Sequence, residues 1–163
     1  MNYIKGAKPR AKALNTILYG GLIAGVLDGL DAVIFYKLAY AVAPALIFQS
    51  ISSGLFGKQS FEMGASTVAL GMFLQLFIAV GAAFFYWLIS LGVADLVRRP
   101  YIYGPLFGIG LFFFMQHVVL PLSRVHHRTA PMAGAELIDQ LFSHAILVGL
   151  PIALMAHRSA KNP

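Results

Sequence analysis

Residues 20 to 36 read GGLIAGVLDGLDAVIFY, an apolar run with two aspartates, Asp28 and Asp31, set in its middle. Glycines 21, 25 and 29 recur every four residues. Four residues turn a helix by about 400°, so the three glycines drift slowly round one face and let a neighbouring backbone approach closely. Asp28 follows Gly25 by three positions, within that stripe, and Asp31 lies at its edge. Both carboxylates are therefore expected to point at other helices, since carboxylates inside membranes nearly always face protein or water rather than lipid.

The surrounding composition supports a membrane setting. Of 163 residues, 59% are hydrophobic and 11% charged, and the mean hydropathy is +0.77. A soluble domain carries roughly 25% charged residues. Formal charge is +6 and the isoelectric point lies near 9.8. Nucleic acid is not the expected partner, because the basic residues sit at the ends of apolar runs, where they set orientation and meet anionic lipid. The chain has no cysteine, which excludes disulfides, thiolate nucleophiles and thiolate metal sites.

A transmembrane helix needs about 20 apolar residues. Residues 14 to 38, 62 to 91, 103 to 123 and 137 to 157 meet that need and predict an all-α bundle of four spans in one domain. The basic opening segment, residues 1 to 13, resembles a signal peptide, but the run behind it carries aspartates and is long enough to span, so it reads as a retained first helix. Between the first two spans, Pro44 suits a helix start and Gly54 or Gly57 a helix end, predicting a short interfacial helix with Ile47, Ile51 and Leu55 on one face and the serines of QSISSG on its polar face.

Lys5, Lys8, Arg10, Lys12, Arg98, Arg99, Arg158 and Lys161 fall on one side of such a bundle, and Lys37, Lys58, Arg124 and Arg128 on the other. The richer side is expected to be cytoplasmic, with both termini there. Trp87, Tyr86, Tyr101 and Tyr103 read as anchors at that interface. Glu62 reads as a favourable charge at a helix N-terminus.

Each span offers polar residues for the interior. Gly64, Gly71, Gln75, Ala79 and Ala82 share a face of the second. His117 stands near Gly110 and Pro121 in the third, and Leu137, Gln140, His144, Val148 and Pro151 share a face of the fourth. Counting rise per residue from the cytoplasmic ends puts Asp28, Gln75, His117 and His144 about 20–22 Å deep, with Asp31 one turn further out. The sequence thus predicts an intramembrane polar layer of Asp28, Asp31, Gln75, His117 and His144. No lysine or arginine lies deep enough to pair with Asp28, so a hydrogen bond to His117 or His144, or a retained proton, is expected to offset its burial.

Three readings of the layer stand together: polar contacts that fix helix register, a proton or cation path through the aspartates and histidines, and haem or divalent metal bound by His117 and His144. The HHR run at 126 to 128, followed by Glu136 and Asp139, reads as a solvated loop or a surface metal site. No nucleophile elbow, P-loop or dinucleotide fingerprint is present, which points away from an enzyme and towards a membrane module that binds a protein partner or self-associates.

GLIAGV in the first span, HVVLPLS ending the third, FSHAILVG in the fourth and the terminal HRSAK resemble the YagU-like small bacterial inner-membrane proteins, in scattered short pieces. The resemblance implies a bacterial inner-membrane location and marks His144. It supplies no catalytic residues.

Overall fold

The computed structural model describes residues 11–125, 132 and 134–161. The HHR run and Lys5, Lys8 and Arg10 lie outside the described residues. Four helices are long and apolar enough to cross a membrane: α1 (Asn15–Tyr40), α3 (Ala65–Gly92), α5 (Pro100–Leu122) and α6 (Ala135–Lys161). Two short helices join them, α2 (Pro44–Phe56) and α4 (Ala94–Arg98). No strand occurs among the described residues. The chain thus has the build of a multi-pass membrane protein.

Helix ends follow local chemistry. Ala41 adopts the left-handed region at φ 54° and its N–H donates to the Lys37 carbonyl, closing α1 in an αL-type cap, while Val42 N–H donates to Tyr36 O. Pro44 and Pro100 open α2 and α5 at the first turn, where no amide donor is needed. Gly57, at φ 61°, ends α2. The expected capping role of Glu62 is not observed, because α3 starts at Ala65 behind Gly64 and has no acidic residue in its first turn.

Three segments are π-helical: Asn15–Gly20, Met115–Val119 and Ser143–Gly149. The second and third run up to Pro121 and Pro151. A proline ring clashes with the carbonyl four residues back, and a widened turn relieves that clash.

Packing is close and carried by small residues. Helix α1 lies on α3 through its glycine face: a Cβ at Gly21 would stand 2.6 Å from Val80 Cα, and one at Gly25 2.9 Å from Ala79 Cβ. Gly29 faces Gln75. Helix α5 meets α6 through Gly104, Gly108 and Gly149, whose backbones touch. The apolar core of Ala24, Ala82, Ala83, Tyr86, Val97, Val148, Ile152, Ala153 and Ala156 fills the half nearer the two chain ends, hereafter the terminal end.

Two expectations change here. Tyr86 is not an interfacial anchor: it is fully buried, packs edge-on to Phe107 at 5.0 Å and donates to the Leu96 carbonyl at 2.8 Å. Trp87 is half-buried and donates to the Ala11 carbonyl, while Tyr101 is exposed. Two of the three serines of α2 also face the other way, while Ser50 is exposed. Ser52 and Ser53 are buried against the protein, and Ser52 donates to Thr67 O at 2.6 Å. Gln49, Ser60 and Thr67 complete this knot, with Thr67 donating to Ser60 O and Ser60 to Gln49 O. Leu46, Leu55 and Phe56 take the outer face of α2, and Ile47 is buried. Polar groups on an apolar chain are better satisfied by one another than by lipid.

Candidate functional site

The polar residues gather in the half of the bundle away from the terminal end, between α1, α3 and α6. Asp28 is held on both oxygens. Gln75 Nε2 donates to Oδ2 at 2.7 Å, and Ser143 Oγ donates to Oδ1 at 2.8 Å. Gln75 also reaches the Gly25 carbonyl at 3.4 Å. This joins three helices at one carboxylate, with the Gln75 side chain lying beside Gly29 of α1. The match in depth between Asp28 and Gln75 is thus a direct contact.

The expected histidine partners of Asp28 are replaced by Gln75 and Ser143. His144 turns its Nδ1 back to the Gln140 carbonyl at 2.9 Å and sets its ring edge-on to Phe112 at 5.5 Å. His117 donates from Nδ1 to the Phe113 carbonyl at 3.0 Å and is exposed on α5. The π-turn explains the exchange. On an ideal helix His144, four residues before buried Val148, would share its face. In an i to i+5 turn Ser143 stacks over Val148 instead, and the whole face shifts by one residue.

Asp31, one turn further along α1, meets Asp139, one turn before Ser143 on α6. Each has an Oδ2 that is buried without a hydrogen-bond partner. Both line an open cavity of about 410 Å³ with Ile34, Phe35, Leu38 and Ala39. Asp139 is close enough to Asp31, Asp28 and Glu136 to feel their charge. Glu136 is buried and accepts a hydrogen bond from Tyr36 Oη at 2.7 Å.

Glu136 and Asp139 therefore belong to this cluster and not to a solvated loop. Glu136 and Asp139 stand three residues apart and seven and four residues before Ser143, a polar stripe at helical spacing and the signal by which sequence reading could have found them. Among the described residues no three His, Cys, Asp or Glu side chains are grouped to hold a metal ion. Haem binding by the histidines likewise finds no support in their placement, since His144 faces Phe112 within the bundle and His117 sits on the exposed side of α5.

Chemically, the cluster offers one carboxylate fixed by two neutral donors and two that line a partly apolar cavity, each with one buried, unpartnered oxygen. Such an arrangement can hold and exchange a proton. Comparison of the chain with protein-family models, curated proteins and solved structures finds no match.

Proposed function

We propose that the chain is a non-enzymatic membrane protein that takes up and releases protons at the Asp31 and Asp139 pair, with Asp28 as the fixed post that positions α1 against α3 and α6. The observation that carries this reading is the pair of unpartnered, buried Oδ2 atoms on one open cavity. An ionisable side chain inside a bilayer is costly and is retained where it works. Two neighbouring carboxylates in such a setting titrate as a coupled pair, so one proton can be shared and exchanged.

Orientation follows from charge. Among the described residues the terminal end holds Lys12, Arg98, Arg99, Arg158 and Lys161 against one carboxylate, Asp95, and the other half Lys37, Lys58 and Arg124 against Asp28, Asp31, Glu62, Glu136 and Asp139. The positive-inside rule then places both termini in the cytoplasm of a bacterial inner-membrane protein and the cavity on the outer side. Helix α2, with its apolar outer face, lies along that outer boundary.

The test is proton uptake by the reconstituted protein after a pH step, followed with a pH-sensitive dye and by the infrared carboxyl band. Wild type takes up protons and shows a protonated carboxyl band that Asp31→Asn and Asp139→Asn each diminish. Equal uptake and an unchanged band in both variants would refute the reading.

A second reading, a partner subunit or a second copy docked on α5, has its own support. Only 11% of the apolar window of α5 is buried, against 28% for α1 and α6. A Cβ at Gly110 would meet no heavy atom within 4 Å, leaving room for a facing helix ridge. Because the chain lacks cysteine, Gly110→Cys is a clean crosslinking probe. A crosslinked complex in native membranes supports the reading, and monomer alone counts against it.

A further inference from the structure

We propose that the terminal end carries a binding site for the phosphodiester headgroup of an anionic phospholipid, formed by Lys12, Arg98, Arg99, Arg158 and Lys161. All five are exposed. They come from three separate parts of the chain, and buried contacts bring those parts together.

The Lys12 amide donates to Ser159 Oγ at 3.0 Å, which ties the start of α1 to the last turns of α6 beside Arg158. His157 donates from Nδ1 to the Val97 carbonyl at 2.7 Å, which ties the same turns to α4 beside Arg98. Tyr86 holds α4 from below through Leu96 O. Arg99 in turn lies between the end of α4 and the start of α5, its carbonyl accepting from Ile102 and Tyr103. The cations thus stand on a fixed platform whose lower layer, Val97, Ile152 and Ala156, is fully or nearly fully buried.

Asp95 is the one carboxylate at this end of the chain. Charge complementarity therefore asks for an anion, and a guanidinium fork suits a phosphate oxygen pair. The neighbouring surface identifies the anion as an amphiphile. Leu88, Ile89 and Val93, on the last turns of α3 leading into α4, are all exposed and offer an apolar wall for acyl chains below the arginines. Tyr101 is 74% exposed at the level where amphipathic rings meet headgroups. A free phosphate would use the cations and leave that wall idle.

The test is lipid retention by the delipidated, detergent-solubilised full chain, titrated with phosphatidylglycerol or phosphatidylcholine and read by native mass spectrometry. Wild type is expected to prefer phosphatidylglycerol, by about fivefold for each basic residue engaged. Arg98→Gln/Arg99→Gln/Arg158→Gln should lose on the order of 100-fold of that preference. Lys58→Gln/Arg124→Gln, at the opposite end, should keep it. Unchanged Trp87 fluorescence confirms that the triple variant is folded, and single Arg158→Gln, expected to lose about fivefold, replaces it if it is not. Equal retention of both lipids by wild type, equal loss in the control pair, or displacement of the lipid by millimolar inorganic phosphate would overturn the proposal.

Discussion

Gly108 and Gly110 sit two residues apart on α5, on opposite faces, and their alanine variants should move stability in opposite directions. A Cβ at Gly108 would collide with the His144 carbonyl oxygen and lie 2.8 Å from Ala145 Cα. Ordinary contact begins near 3.4 Å, so α5 and α6 must part by roughly 0.6 Å or more, and the contacts are main chain, which cannot rotate away. The seam is already full, because a Cβ at Gly149 would lie 2.9 Å from the Gly108 amide nitrogen and one at Gly104 2.9 Å from Ala153 Cβ. Overpacking of this kind costs about 1–3 kcal/mol. Alanine returns about 1 kcal/mol of helix propensity at either position. That gain cancels between the two variants, so Gly110→Ala should exceed Gly108→Ala in stability by about 1–3 kcal/mol, the overpacking cost alone. Unfolding in mixed micelles of mild detergent and SDS, read by the single tryptophan Trp87, measures the difference. A difference below about 0.5 kcal/mol, or the reverse order, would refute the close α5 and α6 seam.

Tyr86→Phe removes the buried donor to Leu96 O and should cost about 1–3 kcal/mol, the usual range when a buried acceptor is left unpaired, in the same unfolding assay. Thr67→Val strips the centre of the α2 knot, leaving Ser60 O without its donor and Gln49 Nε2 with the Gly64 carbonyl alone; amide exchange across residues 49 to 60 should rise while that of α6 stays as in wild type. Asp28→Asn should cost under about 1 kcal/mol, because its oxygen still accepts from Gln75 and its amide can donate to the Ser143 hydroxyl, whereas Asp28→Ala leaves both donors empty and should cost about 2–5 kcal/mol. Asn and Ala variants of equal stability would show that Asp28 does not bridge the three helices.

The four spans were legible because hydrocarbon thickness sets their length, and the apolar runs around Asp28, Gln75, His117 and Leu150 are long enough to satisfy it. The equal depth of Asp28 and Gln75 was legible, on two helices with small residues at the crossing, but their contact was not, since a histidine was expected as the partner of Asp28. Phase on α6 was not. Pro151 widens the preceding turn, and an angular count at 100° per residue then puts His144 where Ser143 belongs. A proline inside an apolar run is the warning that such counting will slip. The facing of α2 was misread for a different reason. Serines on a short amphipathic helix look solvent-bound until Gln49, Ser60 and Thr67 are known to lie opposite them, and that neighbourhood is set by the fold of residues far along the chain.

The two halves of the bundle are built on opposite principles, and the contrast bears on direction. In the terminal half, Ala24, Ala83, Ile152 and Ala153 are wholly buried and pack with no room for water. The other half holds Asp28, Asp31, Glu136 and Asp139, and its cavity opens along the α1 turns from Asp31 to Leu38 and Ala39. On the proposed reading, protons reaching Asp31 arrive and leave on the same side while this packing persists. Movement across the membrane would require α1 to slide on its glycine face, where Gly21 stands against the Val80 main chain, Gly25 against Ala79 and Leu76, and Gly29 against the Gln75 side chain. Asp28 opposes that slide, because its bonds to Gln75 and Ser143 break together if α1 shifts by a turn. Asp28 thus fixes α1 against α3 and α6 beside the Asp31 and Asp139 carboxylates.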